Sequence, residues 1–196
     1  MWKEKLIQFG ETCNHPAWGV AHFKRVYDLS LEIATQEGVV VNQDALFAAA
    51  YLHDMGAFPP YKRTDIDHAV SSEYHYSSYL HDIGFPKAEI PLVGEIIRGH
   101  MFYSKPGHSP ESRVFHDADT LDFMGAIGIA RMLSIVGIDD WTPDLQSAIA
   151  LIEKFTKDLP HSLHYASSKA IGKERLFEMQ LFLEALMKET ENGEVV

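Results

Sequence analysis

Ala49-Ala50-Tyr51-Leu52-His53-Asp54-Met55-Gly56 is the stretch whose reading decides the fold. Ala45 to Asp54 is alanine-rich and apolar nearly all round, which predicts a helix lying deep in a core. Asn42 stands where its N-cap would be, and Gly56 with Pro59-Pro60 ends it. The helix therefore delivers an imidazole and a carboxylate, side by side, into a buried setting. That pairing suits a divalent metal better than almost any other role.

Working outward, the neighbouring segments are also helical. From Ala17 to about Gly38, Val20, Phe23, Tyr27, Leu31 and Ala34 recur at three- and four-residue steps, with Gly38 as C-cap. Residues 1–14 predict a short amphipathic helix. Thr64 with Asp67 resembles a capping box for a helix running to about Asp82, and another helix follows from about Lys87 to Gly99. Ser109-Pro110 opens the next helix. Met124 to Val136 is apolar. Thr142-Pro143 starts a helix ended by Leu159-Pro160, and a last helix from about Ser168 to Glu189 buries Leu176, Met179, Leu183 and Leu186. No run alternates convincingly, and Val39-Val40-Val41 is too short for a strand. The reading is an all-α bundle of roughly eight or nine helices. With no linker or composition shift, residues 1–196 form one domain, and 190–196 fray.

Bulk composition narrows the function. The 196 residues are 46% hydrophobic and 23% charged, an ordinary globular balance. A net charge of −11 argues against broad nucleic-acid binding but permits a small phosphorylated substrate, since a metal and a few local cations reverse the field within one pocket. One cysteine, Cys13, excludes an internal disulfide and a cysteine zinc site, and fits a reducing, cytoplasmic setting. No apolar run reaches the roughly 18 residues that span a membrane.

Three His-Asp pairs occur, at 53–54, 81–82 and 116–117. The phrase Tyr-Leu-His-Asp-Met/Ile-Gly even appears twice, at 51–56 and 79–84, but the flanks do not match. The second pair ends a polar-faced helix, so Asp82 reads as solvated. The first pair has better company: His22 on the preceding helix and Asp119 on a later one. Two imidazoles and two carboxylates suit iron, manganese, cobalt or nickel, and tolerate magnesium or zinc. Asp117 competes with Asp119, but two residues apart on a helix they face different ways. Arg25 shares a face with His22 and would reach a phosphate bound there. Lys62, Arg63, Lys105 and Arg113 are further phosphate candidates. Phe102, Tyr103, Tyr74 and Tyr76 read as packing residues before a base-stacking platform.

The pattern His22 … His53-Asp54 … Asp119 resembles the metal-dependent phosphohydrolases of the HD superfamily. HPAWGVAHFKRVYDLSLEIA (15–34) resembles the family's first ligand helix, and AAAYLHDMG (48–56) its signature. IIRGHMF (96–102) and RVFHDADTLDFMGAIGIARML (113–133) resemble its closing segments. The latter, with SSKAIGKERLFEMQLFLEAL (167–186), is similar to a bacterial subfamily of stand-alone HD hydrolases, so the likeness covers residues 15–187. The resemblance makes His22, His53, Asp54 and Asp119 metal ligands and selects Asp119 over Asp117, leaving Asp117 a supporting or surface residue. His68 and His100 stand where two-metal members place further ligands, though no double histidine follows at 100–101. The acidic residue of some nucleotide-cleaving relatives is replaced by Ala57 and Phe58. The resemblance implies hydrolysis of a small phosphorylated substrate, a phosphomonoester or nucleotide, by metal-activated water. His100, at a helix end before a loop, reads either as a residue capping that helix or as the general acid. A di-iron oxygenase on the same fold, or a metal-bound sensor without turnover, are the alternatives.

Overall fold

The structure is a computed structural model and describes residues 1–190. Among these residues are nine α-helices and no strand. They are α1 (Trp2–Thr12), α2 (Val20–Glu37), α3 (Gln43–Leu52), α4 (His68–Ile83), α5 (Ile90–Arg98), α6 (Pro110–Asp122), α7 (Gly125–Ser134), α8 (Leu145–Ser162) and α9 (Ala166–Glu189). Short 3-10 turns occupy Met55–Ala57 and Lys87–Glu89. The helices gather into two compact units, Met1–Asp119 and Thr120–Val196. The expected fraying of 190–196 falls, beyond Thr190, outside the described residues.

α3 is the centre of the first unit. Ala45, Leu46, Ala48, Ala49, Ala50 and Leu52 are all fully buried. Their small side chains let α1, α2 and α5 pack against α3. α2 contributes the stripe Phe23, Val26, Leu29, Ile33 and Ala34, at helical spacing. It ends on Gly38 at φ 66°, a left-handed turn that glycine enters without a Cβ clash. α4 lies on α5 and on the 3-10 turn at Met55–Ala57.

Asn42 ties the start of α3 to two other helix starts. Its Oδ1 accepts from the Ala45 N–H (3.0 Å), its own N–H donates to Glu111 Oε1 in the first turn of α6 (2.6 Å), and its amide nitrogen donates to Glu89 just ahead of α5. Ser109 Oγ caps α6 by accepting from the Ser112 N–H (3.1 Å).

In the second unit α7, α8 and α9 pack on one another. Arg131 on α7 is buried and donates to the Asp122 carboxylate (2.8 Å) and carbonyl (2.9 Å). Its guanidinium lies 4.4 Å from the centre of the Phe123 ring.

Four local expectations are corrected. The cap of α4 is Asp67, whose Oδ1 accepts from the Ala69 N–H (2.7 Å), and not Thr64. α8 begins at Leu145 rather than Thr142, because Thr142 is consumed in a preceding turn: its N–H donates to the Asp139 carbonyl (3.1 Å) and its carbonyl accepts from Gly137 (2.9 Å). Pro160 lies inside α8 and does not end it. Two residues from the terminus its missing N–H forfeits one bond, and Ser162 Oγ satisfies the Leu159 carbonyl at 2.9 Å. On α9 Met179 is buried, whereas Leu176, Leu183 and Leu186 are half-buried and Phe177 and Leu181 are exposed.

Candidate metal centre

Six imidazole and carboxylate side chains of the first unit converge at the C-terminal end of α3. His53 is the C-cap of that helix, its N–H bonded to the Ala49 carbonyl at 2.8 Å. Asp54 follows in the tight turn, at φ −101° and ψ 11°. His22 comes from the first turns of α2, His68 is the first residue of α4, His100 follows α5, and Asp119 lies near the end of α6. His22, His53, His100 and Asp119 are essentially inaccessible, and Asp54 nearly so.

The distances divide these groups into two sets. His22, His53 and Asp119 offer atoms all within 4.8 Å of one another, and so do Asp54, His68 and His100. His22 Nε2 and His53 Nε2 face each other at 3.0 Å, and Asp119 Oδ1 lies 3.4 Å from the first and 4.0 Å from the second. Asp54 belongs to both sets. Its Oδ2 is 3.5 Å from His22 Nε2 and 3.3 Å from His53 Nε2, while its Oδ1 is 3.3 Å from His68 Nε2 and 3.7 Å from His100 Nε2.

The backbone sets the tautomers. His53 Nδ1 lies 3.0 Å from the Ala50 carbonyl and His100 Nδ1 lies 2.6 Å from the Ile97 carbonyl. A carbonyl only accepts, so in both rings Nδ1 carries the proton and Nε2 is left to bind. The rings of His100, Phe115 and Phe23 pack against His53 with centroids 5.0, 5.3 and 5.6 Å away. Gly56 completes the arrangement. A Cβ there would collide with the His68 carbonyl, and its N–H donates to Ser72 Oγ (2.9 Å), so the turn after Asp54 lies directly on the first turn of α4.

The electrostatics are those of tightly coupled opposite charges. Burial pushes the His53 imidazolium toward a lower pKa, but the Asp54 and Asp119 carboxylates outweigh it and raise the pKa to about 9. Burial likewise works to raise the Asp54 pKa, and the imidazoles around it, His53 foremost, hold the carboxyl well below its usual range. His68 moves upward because Asp54 overcomes its burial.

These residues fit a divalent cation. His100 Nε2 and Asp119 Oδ1 are buried acceptors that make no hydrogen bond, a costly arrangement unless a positive ligand faces them. Four imidazoles with two carboxylates form a mixed nitrogen and oxygen set.

Other candidate residues fall elsewhere. Arg25 lines a cavity of about 150 Å³ together with His15, Asn14 and His22. Arg63 is exposed and paired with Asp65 (2.7 Å), and Lys62, Lys105 and Arg113 are exposed, with no ion pair to either set. His81 and Asp82 are exposed, in agreement with the sequence. Asp117 is fully buried, which rules out a surface position. It lies 3.6 Å from His116 Nδ1 and outside both sets. Asp67 and Tyr103, read from the sequence as a capping residue and a packing aromatic, stand beside the site. Tyr103 Oη donates to Asp67 Oδ2 (3.2 Å), and Asp67 Oδ1 is 3.7 Å from His68 Nδ1. Partial burial, then the charges of Asp67, Asp54 and Asp119, raise the Tyr103 pKa. The available signal was a carboxylate next to a candidate ligand.

A family model for the HD domain matches residues 19–124, more than half of the chain. The chain belongs to the HD-domain superfamily. Solved structures share the fold of this HD domain. A predicted HD superfamily hydrolase from an uncultured Thermotogales bacterium is 24% identical, with a TM-score of 0.64 over 96% of this chain and 90% of the other. Bacillus subtilis YpgQ, in complex with ADP, is 23% identical, with a TM-score of 0.65 over 94% and 97%. An HD-superfamily hydrolase from Bacillus thuringiensis is 25% identical, with a TM-score of 0.63 over 96% and 98%. No curated protein sequence matches this HD domain significantly. Among the described residues no helix is long and apolar enough to cross a membrane.

Proposed function

We propose that this HD domain is a cytoplasmic metal-dependent phosphohydrolase acting on a small phosphorylated molecule. The observation that carries the reading is Asp54, whose two oxygens face two separate groups of imidazoles, all buried but the half-buried His68. His22, His53, Asp54 and Asp119 would hold one ion, and Asp54, His68 and His100 would hold a second. A divalent ion held there supplies a Lewis acid that lowers the pKa of water and polarises a phosphoryl oxygen. Iron, manganese, cobalt, nickel and zinc suit these donors better than magnesium does.

The protein's own residues do the remainder. His100 keeps its proton on Nδ1, which donates to the Ile97 carbonyl, and its buried Nε2 is left to bind, so we assign it as a metal-binding donor rather than as general acid. Arg25, three residues beyond His22, neutralises charge on the phosphate. Asp67 orients His68, and Tyr103 holds Asp67. The ADP bound to YpgQ supports a phosphorylated ligand class without naming the substrate.

Elemental analysis combined with a metal-supplemented phosphatase screen, on wild type and His53→Ala, tests the reading. Bound metal and phosphate release in wild type, both lost in the variant, are expected. Unchanged metal content in His53→Ala overturns the ligand assignment. The shared carboxylate also fits the di-iron oxygenase, and two irons per chain with oxygen-dependent turnover and no phosphate release would favour it.

A further inference from the structure

A groove of about 460 Å³ lies on the first unit, lined by residues of α4, α5 and the 3-10 turn between them. Tyr76, Ser77 and His81 come from α4, Lys87 from the turn, and Ile90 and Arg98 from α5. None of them belongs to either set of the candidate metal centre. In a chain of net charge −11, this groove collects three basic side chains and no lining carboxylate.

The basic groups are available to a ligand. Among the described residues Lys87 forms no ion pair, and the His81 side chain forms no hydrogen bond. Arg98 uses only Nε, donating to Glu73 Oε1 at 2.6 Å, so its two terminal nitrogens remain as a fork. The neighbouring carboxylate of Glu89 is engaged by Asn42. The groove has also been shaped. Tyr76 lies against α5 at Gly94, where a Cβ would collide with the phenol oxygen. Ile90 provides a buried apolar floor. The volume suits a ligand of nucleotide size or smaller.

We propose that this α4–α5 groove binds a soluble phosphorylated small molecule carrying at least two negative charges. Arg98 and Lys87 take the phosphate oxygens through charge-assisted bonds, while Ser77 and His81 complete the shell. The groove is separate from the candidate metal centre, and the binding does not depend on metal chemistry there.

Calorimetric titration of the full chain with inorganic pyrophosphate, in chelator-containing buffer, tests the proposal. Wild type and His53→Ala are expected to bind alike, with one site per chain. Lys87→Glu and the double variant Lys87→Glu/His81→Gln should weaken binding by about tenfold or more, while Lys87→Arg retains it. Both altered side chains are exposed, so thermal midpoints close to wild type accompany the loss. Absence of pyrophosphate binding in wild type, or unchanged binding in Lys87→Glu, overturns the proposal. Co-sedimentation with phosphatidic acid vesicles in the absence of pyrophosphate binding also overturns it, since the ligand would then be a lipid headgroup.

Discussion

At the scale of single residues, Asp54 and His53 carry the sharpest consequences. Asp54→Asn keeps the size of the side chain but removes the charge that both sets share. Metal content should fall at both positions, and phosphate release by at least about a hundredfold. Elemental analysis and steady-state rates check this, and loss of only one ion would mean the sharing is not functional. His53 sets a pH dependence. Its pKa in the metal-free folded state is about 9, above the ordinary 6.5. The folded form thus holds this proton more tightly than the unfolded chain does. That stabilisation is complete below about pH 6.5 and is lost as pH rises through about 9. Asp54 has the opposite sign: its depressed pKa stabilises the fold above the ordinary 3.8, and that contribution fades on acidification. A metal must displace the His53 proton, so the gap in thermal midpoint between metal-loaded and chelated protein should widen from pH 6.5 toward 9. A gap that narrows would remove His53 Nε2 from the ligands. In the sequence His53 and Asp54 stood out as a His-Asp pair ending a buried apolar helix, whereas His22 and Asp119 were named as their companions through the family resemblance. The two-faced use of Asp54 was not legible, since it depends on which way each carboxylate oxygen points.

At the scale of elements, the turn at Gly56 decides how α4 meets the end of α3. Gly56→Ala would drive a Cβ into the His68 carbonyl and against Ser71 and Ser72. A destabilisation of about 1–3 kcal/mol is expected, with His68 displaced. Thermal melts and metal stoichiometry read both effects, and the set of Asp54, His68 and His100 should suffer more than that of His22, His53 and Asp119. Helix positions followed from periodicity and caps, as with Asn42, Gly38 and Ser109. The errors came where a side chain found another partner. Asp67 outcompeted Thr64 as a cap, Thr142 was absorbed into a turn, and Pro160 sat late enough in α8 to be tolerated. Periodicity also overstated the burial of Leu176, Leu183 and Leu186, because hydrophobic spacing says which residues share a face but not how deeply that face is covered.

At the scale of the whole molecule, the all-α class could be read from the sequence because no run alternated long enough for a strand while helical spacing and caps recurred along the chain. The grouping of the helices into two compact units could not, since no linker or change of composition marks Asp119 and Thr120. The net charge of −11 makes a further prediction. Short duplex DNA should show no mobility shift with the protein at physiological salt, because no excess of cations releases counterions from the phosphates. A salt-sensitive shift would contradict the reading of composition.

Asn42 gives the candidate centre a remote fulcrum. The starts of α3, α5 and α6 are gathered at this one residue, while His53 and His100 lie beyond the far ends of α3 and α5 and Asp119 lies in the last turn of α6. Along α3 that separation is about 15 Å. Aim at the centre is therefore governed from a point that never touches it. Amide hydrogen exchange makes the lever visible: Asn42→Ala removes the side-chain bonds to Ala45 and Glu89 but keeps the backbone N–H that Glu111 accepts, so exchange should speed at the openings of α3 and α5 together while the opening of α6 holds.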